Sequence, residues 1–318
     1  MERSELLDIV RRPLSPDTRL EVPASRAEYE RVQEILKIEE AKYPQLWYDG
    51  TRSVAIVVAP PTPLHAGIAG GLLTSILREV LVNSGVSLEI AGGLRIESDS
   101  ETTMNNTTRA SDGALLYWEG DRATLMIAVE VAVSQSYDSM RAAISWSVCA
   151  LRCRLGLAMS ISEESRGRRP PGRFYMTLEH ANAAVDEARD DFYRQLLQHP
   201  YGPLERDGVT WFGRVSRVVL QTYRREDEHC APETLLEPTQ SFELVENGEY
   251  VAQNISPNLR EVVLGDCIPT HLLNNRHIEA TPVNFFQRDW FETQFRGLVV
   301  RTAILRLWRN TSYGQPIP

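Results

Sequence analysis

Lysine is nearly absent from this chain of 318 residues. Only Lys37 and Lys42 carry an amine side chain, and arginines make up the rest of the 34 basic residues. Both lysines precede the central part of the sequence, so a reaction that needs an amine as proton acceptor has no local lysine there. Arginine does not replace lysine in that role, because its guanidinium stays protonated in proteins.

Cysteines and long apolar runs are also scarce. The four cysteines are too few and too scattered for a disulfide framework. We expect buried, small apolar side chains at these positions, with a metal pair at Cys149 and Cys153 as the alternative. No run approaches the roughly 18 apolar residues of a membrane helix, and residues 1–14 lack the apolar stretch of a secretory signal. The sequence therefore predicts a cytoplasmic or nuclear protein without membrane contact.

What is present is the composition of a globular protein. Hydrophobic residues make up 42% and charged residues 24% of the chain, and a chain of this length can bury a sizeable core without staples. The net charge of −9 argues against a protein that coats duplex DNA nonspecifically, since that binding needs many phosphate contacts. A local basic groove remains compatible with this charge.

Apolar patterning predicts a central run of alternating strands and helices. The predicted strands are 54–59, 86–91, 94–96, 113–118, 123–133 and 155–161, the helices are 27–43, 64–82, 136–152 and 181–198, and 97–110 is a loop. A strand, a helix and a further strand in succession predict a parallel crossover. The expected divisions are an N-terminal helical extension at 1–52, a core at 53–165 and a C-terminal α+β elaboration at 166–318 packed on that core.

Two acids stand at chemically meaningful places in this core. Asp112 precedes one predicted strand, and Glu130 lies inside the next, apolar one. Two carboxylates on neighbouring strands can hold Mg²⁺, which activates water and neutralises charge on a phosphate. A glutamate in an apolar strand is costly to bury unpaired, so Glu130 is a metal ligand, an arginine partner or protonated. Asp112 alternatively starts a turn.

The segment around the second acid is the most specific stretch. Val129-Glu130-Val131-Ala132-Val133-Ser134-Gln135-Ser136 resembles the EV-x-x-SQ element of divergent fungal PD-(D/E)XK nuclease-like proteins, and residues 61–65 resemble their P-x-x-x-H entry to the first helix. The resemblance covers roughly residues 50–250. It implies an α/β protein with a restriction-endonuclease-like central mixed sheet flanked by helices. The catalytic candidates it implies are Asp112, Glu130, Gln135, Glu79, Ser134 and His65, with Asp112 and Glu130 as the ligands of any Mg²⁺.

The sequence departs from that family at the catalytic lysine. The lysine position, two residues after the second acid, is Ala132, and the following helix offers Arg141 instead. Gln135 can position a water molecule without accepting its proton. Ser134 is either a nucleophile or a helix cap, and His65 either acts in the site or satisfies the start of its helix.

Arginines supply the candidate phosphate contacts. These are Arg141, Arg166, Arg168, Arg169, Arg173, Arg214 and Arg217. They would contact nucleic acid if the fold brought them to one face together with Glu130. The alternative is that those between 166 and 173 belong to a solvated loop.

Four functions stay open at this point. The first is binding or processing of nucleic acid, with tRNA favoured over duplex DNA. The second is an aminoacyl-tRNA-dependent cyclodipeptide synthase of the arginine-containing type on the same fold, acting on an aminoacyl substrate. The others are a noncatalytic interaction scaffold and a Mg²⁺-dependent nuclease that uses Gln135. The fold alone does not choose among them.

Overall fold

A computed structural model gives the structure of the chain. The residues it describes are 4–12, 14, 18–39, 44–59, 61–98, 101–104, 106–133, 137–164, 173–175, 177–225, 230–252, 262–273, 276–309 and 311–313. Within them the protein is a mixed α/β molecule with several sheets.

The helices and strands are numbered in chain order. The helices are α1 (Glu5–Val10), α2 (Arg26–Glu39), α3 (Pro63–Asn83), α4 (Leu88–Ala91), α5 (Tyr137–Cys149), α6 (Leu178–Gln198), α7 (Leu264–Cys267), α8 (Arg276–Glu279) and α9 (Arg288–Arg309). The strands are β1 (Arg19–Pro23), β2 (Gln45–Asp49), β3 (Val54–Val58), β4 (Leu94–Glu97), β5 (Glu101–Met104), β6 (Thr107–Ala110), β7 (Gly113–Glu119), β8 (Arg122–Val133), β9 (Leu155–Glu163), β10 (Arg173–Tyr175), β11 (Leu204–Arg206), β12 (Val209–Phe212), β13 (Val215–Tyr223), β14 (Gln240–Glu246), β15 (Glu249–Tyr250) and β16 (Thr311–Tyr313).

A seven-stranded sheet runs through the centre in the order β15-β14-β13-β9-β8-β7-β4. Its strands pair antiparallel except for β8 and β9, which are parallel and joined by α5. This is the parallel crossover that the sequence predicts. A parallel pair requires such a crossover connection, whereas the β7–β8 pair needs only a tight turn.

The two faces of this sheet carry different layers. On one face Ile127, Val129 and Val131 of β8 join a large apolar core with α3, α6 and α9. On the other face Ala128 and Ala132 pack against α5. Alternation along the strand therefore turns Glu130 toward α5.

A second sheet of five strands has the order β1-β3-β2-β6-β5. Its outer face packs on α1 and α2 through a small apolar cluster that includes Tyr29, Val32, Tyr48 and Val57. Its inner face carries Trp47 and Ile56. Strand β6 continues through two residues into β7, so the two sheets are joined beside Asp112.

The structure corrects several predictions. Residues 1–52 are not a helical extension, because β1 and β2 pair with β3 across the predicted boundary. The predicted loop at 97–110 contains the β5–β6 hairpin. The predicted strand at 86–91 is instead the short helix α4, capped by the Ser87 hydroxyl, which accepts a hydrogen bond from the Ile90 N–H at 3.3 Å. The C-terminal elaboration extends the central sheet by β13 to β15 rather than only packing on it.

Helix α3 is long and apolar. By length and composition α3 could cross a membrane. Its residues Leu64, Ile68, Leu72 and Ile76 are fully or nearly fully buried, and the helix contacts β8 and α9. In this fold α3 is a core helix.

The cysteine prediction is half correct. Cys153 and Cys267 are buried free thiols, but Cys149 forms a disulfide with Cys230. The predicted alternative, a Cys149–Cys153 metal pair, is therefore wrong. The disulfide joins the end of α5 to the segment before β14.

Candidate functional site

The two predicted acids meet on neighbouring strands. Gly113 pairs with Val129 in the antiparallel β7–β8 ladder, and continuing that register by one residue sets Asp112 opposite Glu130. Side chains at directly opposite positions lie about 5 Å apart at their β-carbons. The two carboxyl groups interact, since the Asp112 charge raises the pKa of Glu130.

Two groups lie close to one carboxylate oxygen of Asp112. Its Oδ2 accepts the backbone N–H of Val131 at 2.6 Å, where β8 continues past the end of β7. The same oxygen lies 2.8 Å from Nε2 of His65. His65 stands in the first turn of α3, whose start is capped by the Thr62 side chain, so the helix start and the imidazole–carboxylate contact are both present.

Glu130 carries a buried carboxyl group beside Asp112. Its residue is 7% exposed, and burial is the first cause of a pKa raised well above the ordinary value. Asp112 adds to this rise, whereas Arg19 and Arg109 oppose it. Of the three states that the sequence left open, these surroundings favour the protonated one.

The position two residues after Glu130, where the resemblance implies a lysine, is occupied by a buried alanine. Ala132 is 2% exposed and lies with Met140 and Ile144 of α5. Of the two lysines, Lys37 is exposed on α2, away from Glu130 on the outer side of the five-stranded sheet, and Lys42 is outside the described residues. Within the described part of the chain, no amine side chain is therefore available to act as a base beside the two acids.

Two arginines of the five-stranded sheet act on Glu130 through their charge. Arg19 begins β1 and Arg109 lies in β6, and both influence the pKa of Glu130. The positive charges of Arg19 and Arg109 also act on each other. Burial, followed by the charge of Arg109, lowers the pKa of Arg19, while Glu21 and Glu130 act in the opposite direction.

Arg109 is positioned by an acid and a ring. Its Nη2 lies 3.2 Å from Oδ2 of Asp49 in a buried ion pair, and its guanidinium carbon lies 5.9 Å from the centre of the Trp146 ring. The other Asp49 oxygen accepts the backbone N–H groups of Thr51 and Arg52, at 3.1 and 3.2 Å. The turn between β2 and β3 therefore fixes Asp49, and Asp49 fixes Arg109.

A cleft of about 180 Å³ opens beside this pair. The five-stranded sheet forms one wall, α5 forms the second, and residues 232–235 form the third. The lining includes Asp49, Arg52, Arg109, Ser145 and Trp146. Polar and aromatic groups around a concave space are typical of a ligand site.

The third wall is fastened to α5 at several points. The Ser145 hydroxyl accepts the Leu236 N–H at 3.0 Å, and Nε of Arg141 donates to the Leu236 carbonyl at 2.7 Å. Arg141 also pairs with Glu237, and the Cys149–Cys230 disulfide closes the segment from its other end. Arg141, predicted as a phosphate contact, is instead engaged in holding this wall.

Other predicted residues lie elsewhere. Glu79 is 14 residues beyond His65 on α3, about 21 Å along the helix, and accepts a hydrogen bond from Asn83 at 2.7 Å. The prediction that it is a third acid of the site is therefore wrong. Gln221 of β13 is level with Glu130 two strands away, and Arg217 is four residues further along β13. Four residues along the strand are about 13 Å and two strand spacings are about 10 Å, so the backbones of Arg217 and Glu130 are about 16 Å apart.

The remaining arginines do not form the predicted face with Glu130 in the described residues. Arg217 pairs with Glu243 at 2.6 Å, and Arg214 donates to the Asn247 carbonyl. Arg173 lies in β10, but its side chain is outside the description. Also outside the described residues are Ser134, Gln135, Arg166, Arg168 and Arg169, whose roles stay predictions.

A metal site is not evident from the side chains that the structure describes. No group of three histidine, cysteine, aspartate or glutamate side chains among them converges as a metal-binding set. Burial and Asp112 also favour the protonated form of Glu130, whereas metals bind the deprotonated carboxylate. Mg²⁺ at Asp112 and Glu130 stays a prediction.

Sequence reasoning missed Arg19, Asp49, Arg109 and Trp146. The available signal was weak. The stretch around Arg109 is rich in threonine, which favours strands, yet its asparagines and overall polarity favoured a loop. Comparisons with protein-family models and with curated proteins find no match to this chain, so the site rests on its own geometry.

Proposed function

We propose that this protein binds nucleic acid on a restriction-endonuclease-like core, with tRNA favoured over duplex DNA, and that it does not hydrolyse phosphodiesters by the lysine-assisted route. The observation that carries the proposal is the Asp112–Glu130 pair, with Asp112 bonded to the Val131 N–H at 2.6 Å. Its setting is the chain order α3, α4, β4, β5, β6, β7, β8, α5, β9, which contains the helix, the turn-linked strand pair and the crossover that the sequence predicts.

The chemistry of the pair favours binding over hydrolysis. A metal-activated water needs ionised ligands and a group that accepts its proton. Burial and Asp112 raise the pKa of Glu130, Ala132 replaces the amine, and the nearby cations are arginines, which do not accept protons. Arginines contribute charge and hydrogen bonds to phosphate oxygens instead.

The test is recovery and binding of nucleic acid. Nucleic acid extracted from the purified protein and sequenced is expected to be enriched in tRNA. Fluorescence anisotropy with labelled tRNA in EDTA is expected to give saturable binding that weakens with salt, and the tRNA is expected to stay intact when Mg²⁺ is added. The proposal fails if neither tRNA nor another RNA binds, or if Mg²⁺ leads to cleavage that Glu130→Ala abolishes.

A second candidate is aminoacyl transfer by an arginine-containing cyclodipeptide synthase. The His65–Asp112 contact at 2.8 Å favours it, because a carboxylate-oriented imidazole is a base that needs no metal. The assay supplies amino acids, ATP, the synthetase and tRNA, and detects cyclic dipeptides by mass spectrometry. Product that disappears when tRNA is omitted, and in His65→Gln, would support transfer; no product eliminates it.

A further inference from the structure

Four buried hydrogen-bond donors near Glu130 lack an acceptor. They are Nε of Arg19, Nε and Nη1 of Arg109 and Nε1 of Trp47, each without a partner among the described residues. All three side chains belong to the five-stranded sheet, and Trp47 is 6% and Arg109 9% exposed. Buried donors are nearly always paired in folded proteins, so a cluster of unpaired ones indicates that something else accepts them.

The three side chains form one group. The guanidinium carbon of Arg19 lies 5.9 Å from the centre of the Trp47 ring. The charges of Arg19 and Arg109 repel each other, which contributes to the lowered pKa of Arg19. Guanidinium groups that repel each other are stabilised by an anion between or beside them. Oε1 of Glu21 lies 4.0 Å from Nη2 of Arg19, which leaves Nε of Arg19 without an acceptor among the described residues. Asp49 accepts a hydrogen bond from Arg109 through Nη2, which leaves the other two nitrogens of that guanidinium available.

Glu130 does not serve as that anion while it is protonated. The charges of both arginines lower the pKa of its carboxyl group, but burial and Asp112 raise it and favour the neutral form. Arg109 also lines the cleft between the five-stranded sheet and α5, so an external ligand that enters the cleft meets this arginine. The cleft size suits a single anionic group or a small part of a larger ligand.

We propose that Arg19, Trp47 and Arg109 form an oxyanion site that takes a phosphate group of the ligand beside Glu130. This inference rests on the proposed function for the source of the phosphate, since a nucleic acid or a free phosphate would present the same oxygens. The planar guanidinium groups and the indole N–H are donors only, which matches an acceptor-only ligand such as phosphate.

The test titrates the full-length protein with inorganic phosphate and follows tryptophan fluorescence, because Trp47 and Trp146 border the site. Wild-type protein is expected to show saturable binding. Arg19→Gln is expected to weaken it about tenfold or more, the loss of a charge-assisted hydrogen bond, and Trp47→Phe about fivefold, the loss of a neutral one. Trp47→Phe keeps an aromatic ring without the indole N–H, and it carries the test if Arg19→Gln does not fold.

Arg217→Gln is the matched control, because this exposed arginine pairs with Glu243 outside the site. It is expected to bind phosphate like wild type. The inference is overturned if wild-type protein shows no saturable phosphate binding up to roughly 10 mM, a weak-binding limit. Unchanged affinity in Trp47→Phe and in folded Arg19→Gln also overturns it.

Two RNA oligonucleotides of one sequence, one with and one without a 5′-phosphate, distinguish a nucleic-acid phosphate from free phosphate as the ligand of this site. Tighter binding of the phosphorylated one, competed by inorganic phosphate and lost in Arg19→Gln, supports a terminal nucleic-acid phosphate at this site. RNA binding that Arg19→Gln and Trp47→Phe leave unchanged overturns the inference while the proposed function stands. Phosphate binding lost in Arg19→Gln, with no RNA binding, supports the site for a free oxyanion and overturns the proposed function.

Discussion

The two sheets of this protein contribute opposite charges to one place. The seven-stranded sheet carries the acids Asp112 and Glu130, and the five-stranded sheet carries Arg19 and Arg109. In the first sheet, the position two residues after Glu130 is Ala132 rather than a cationic residue. The second sheet supplies cations that do not exchange protons. Among the described residues, the site therefore places acids of one sheet near arginines of the other, with no amine side chain beside them.

The largest expected loss of unfolding free energy comes from the five-stranded sheet, where a buried ion pair holds the site. Asp49→Ala removes the carboxylate that holds Arg109 and the acceptor of two turn N–H groups. Breaking a buried pair from one side costs about 3–5 kcal/mol of unfolding free energy, measured by urea denaturation. The control is Glu21→Ala, since Glu21 and Arg52 form an exposed pair worth under about 1 kcal/mol. Equal losses in both variants would contradict the comparison.

The third wall of the cleft is predicted to depend on the disulfide. Cys149 and Cys230 are 81 residues apart in the chain, and closing a loop of that size stabilises a protein by about 2–4 kcal/mol. The double variant Cys149→Ala, Cys230→Ala is expected to lose that amount relative to oxidised wild type. The difference should vanish when both proteins are compared in reductant. A peptide map without reductant that lacks the Cys149–Cys230 link would show that the pair does not form.

On the seven-stranded side, Asp112 is predicted to stabilise the junction between β7 and β8. Asp112→Ala leaves the Val131 N–H without its acceptor and His65 without its carboxylate, at a cost of about 1–3 kcal/mol. Asp112→Asn keeps an acceptor oxygen and is expected to lose less. The exposed turn residue Asp121 serves as control, because surface substitutions usually change stability within about 0.5 kcal/mol. A loss in Asp121→Ala as large as in Asp112→Ala would remove this distinction.

The smallest effect, taken over a single pH unit, concerns the protonation of Glu130. Its pKa is raised in the folded state by burial and by Asp112, whereas the unfolded value is about 4.3. The folded state therefore binds the proton more tightly, and wild-type stability falls as pH rises above the unfolded pKa, by up to about 1.4 kcal/mol per pH unit. Glu130→Gln lacks this proton. Its stability relative to wild type is expected to increase from pH 4 upward, until the raised pKa is passed.

Denaturation of the two proteins at a series of pH values measures this difference. Asp121→Asn is the matched control and is expected to follow the wild-type profile. A constant difference between Glu130→Gln and wild type across the series would mean that Glu130 titrates normally, and the charge balance described for the site would then be wrong.

The parts of the fold predicted well are those with strong apolar periodicity. Helix α3 and strands β7, β8 and β9 were placed within a few residues, because each buries apolar side chains over most of its length. The β5–β6 hairpin was missed, since its residues are mostly polar and only pairing with β2 gives them a sheet. Pairing between distant segments leaves little trace in the local sequence.

The candidate site divides in the same way. Asp112 and Glu130 were found because an acid beside or inside an apolar strand is conspicuous. Glu79 was wrongly included, because its distance from the site depends on how far α3 runs from His65. Arg19 and Arg109 were missed, because an arginine in a polar segment gives no sign of burial.

The sequence by itself determined that the chain has a buried α/β core, that two acids lie on adjoining strands, and that lysine is missing from their neighbourhood. These follow from local periodicity and residue identity, which do not depend on distant contacts. Only the tertiary structure decided which cations face Glu130, which wall the disulfide fastens, and that donors of Arg19, Trp47 and Arg109 stay unpaired. These depend on the packing of two sheets, and packing joins residues that are far apart in the chain.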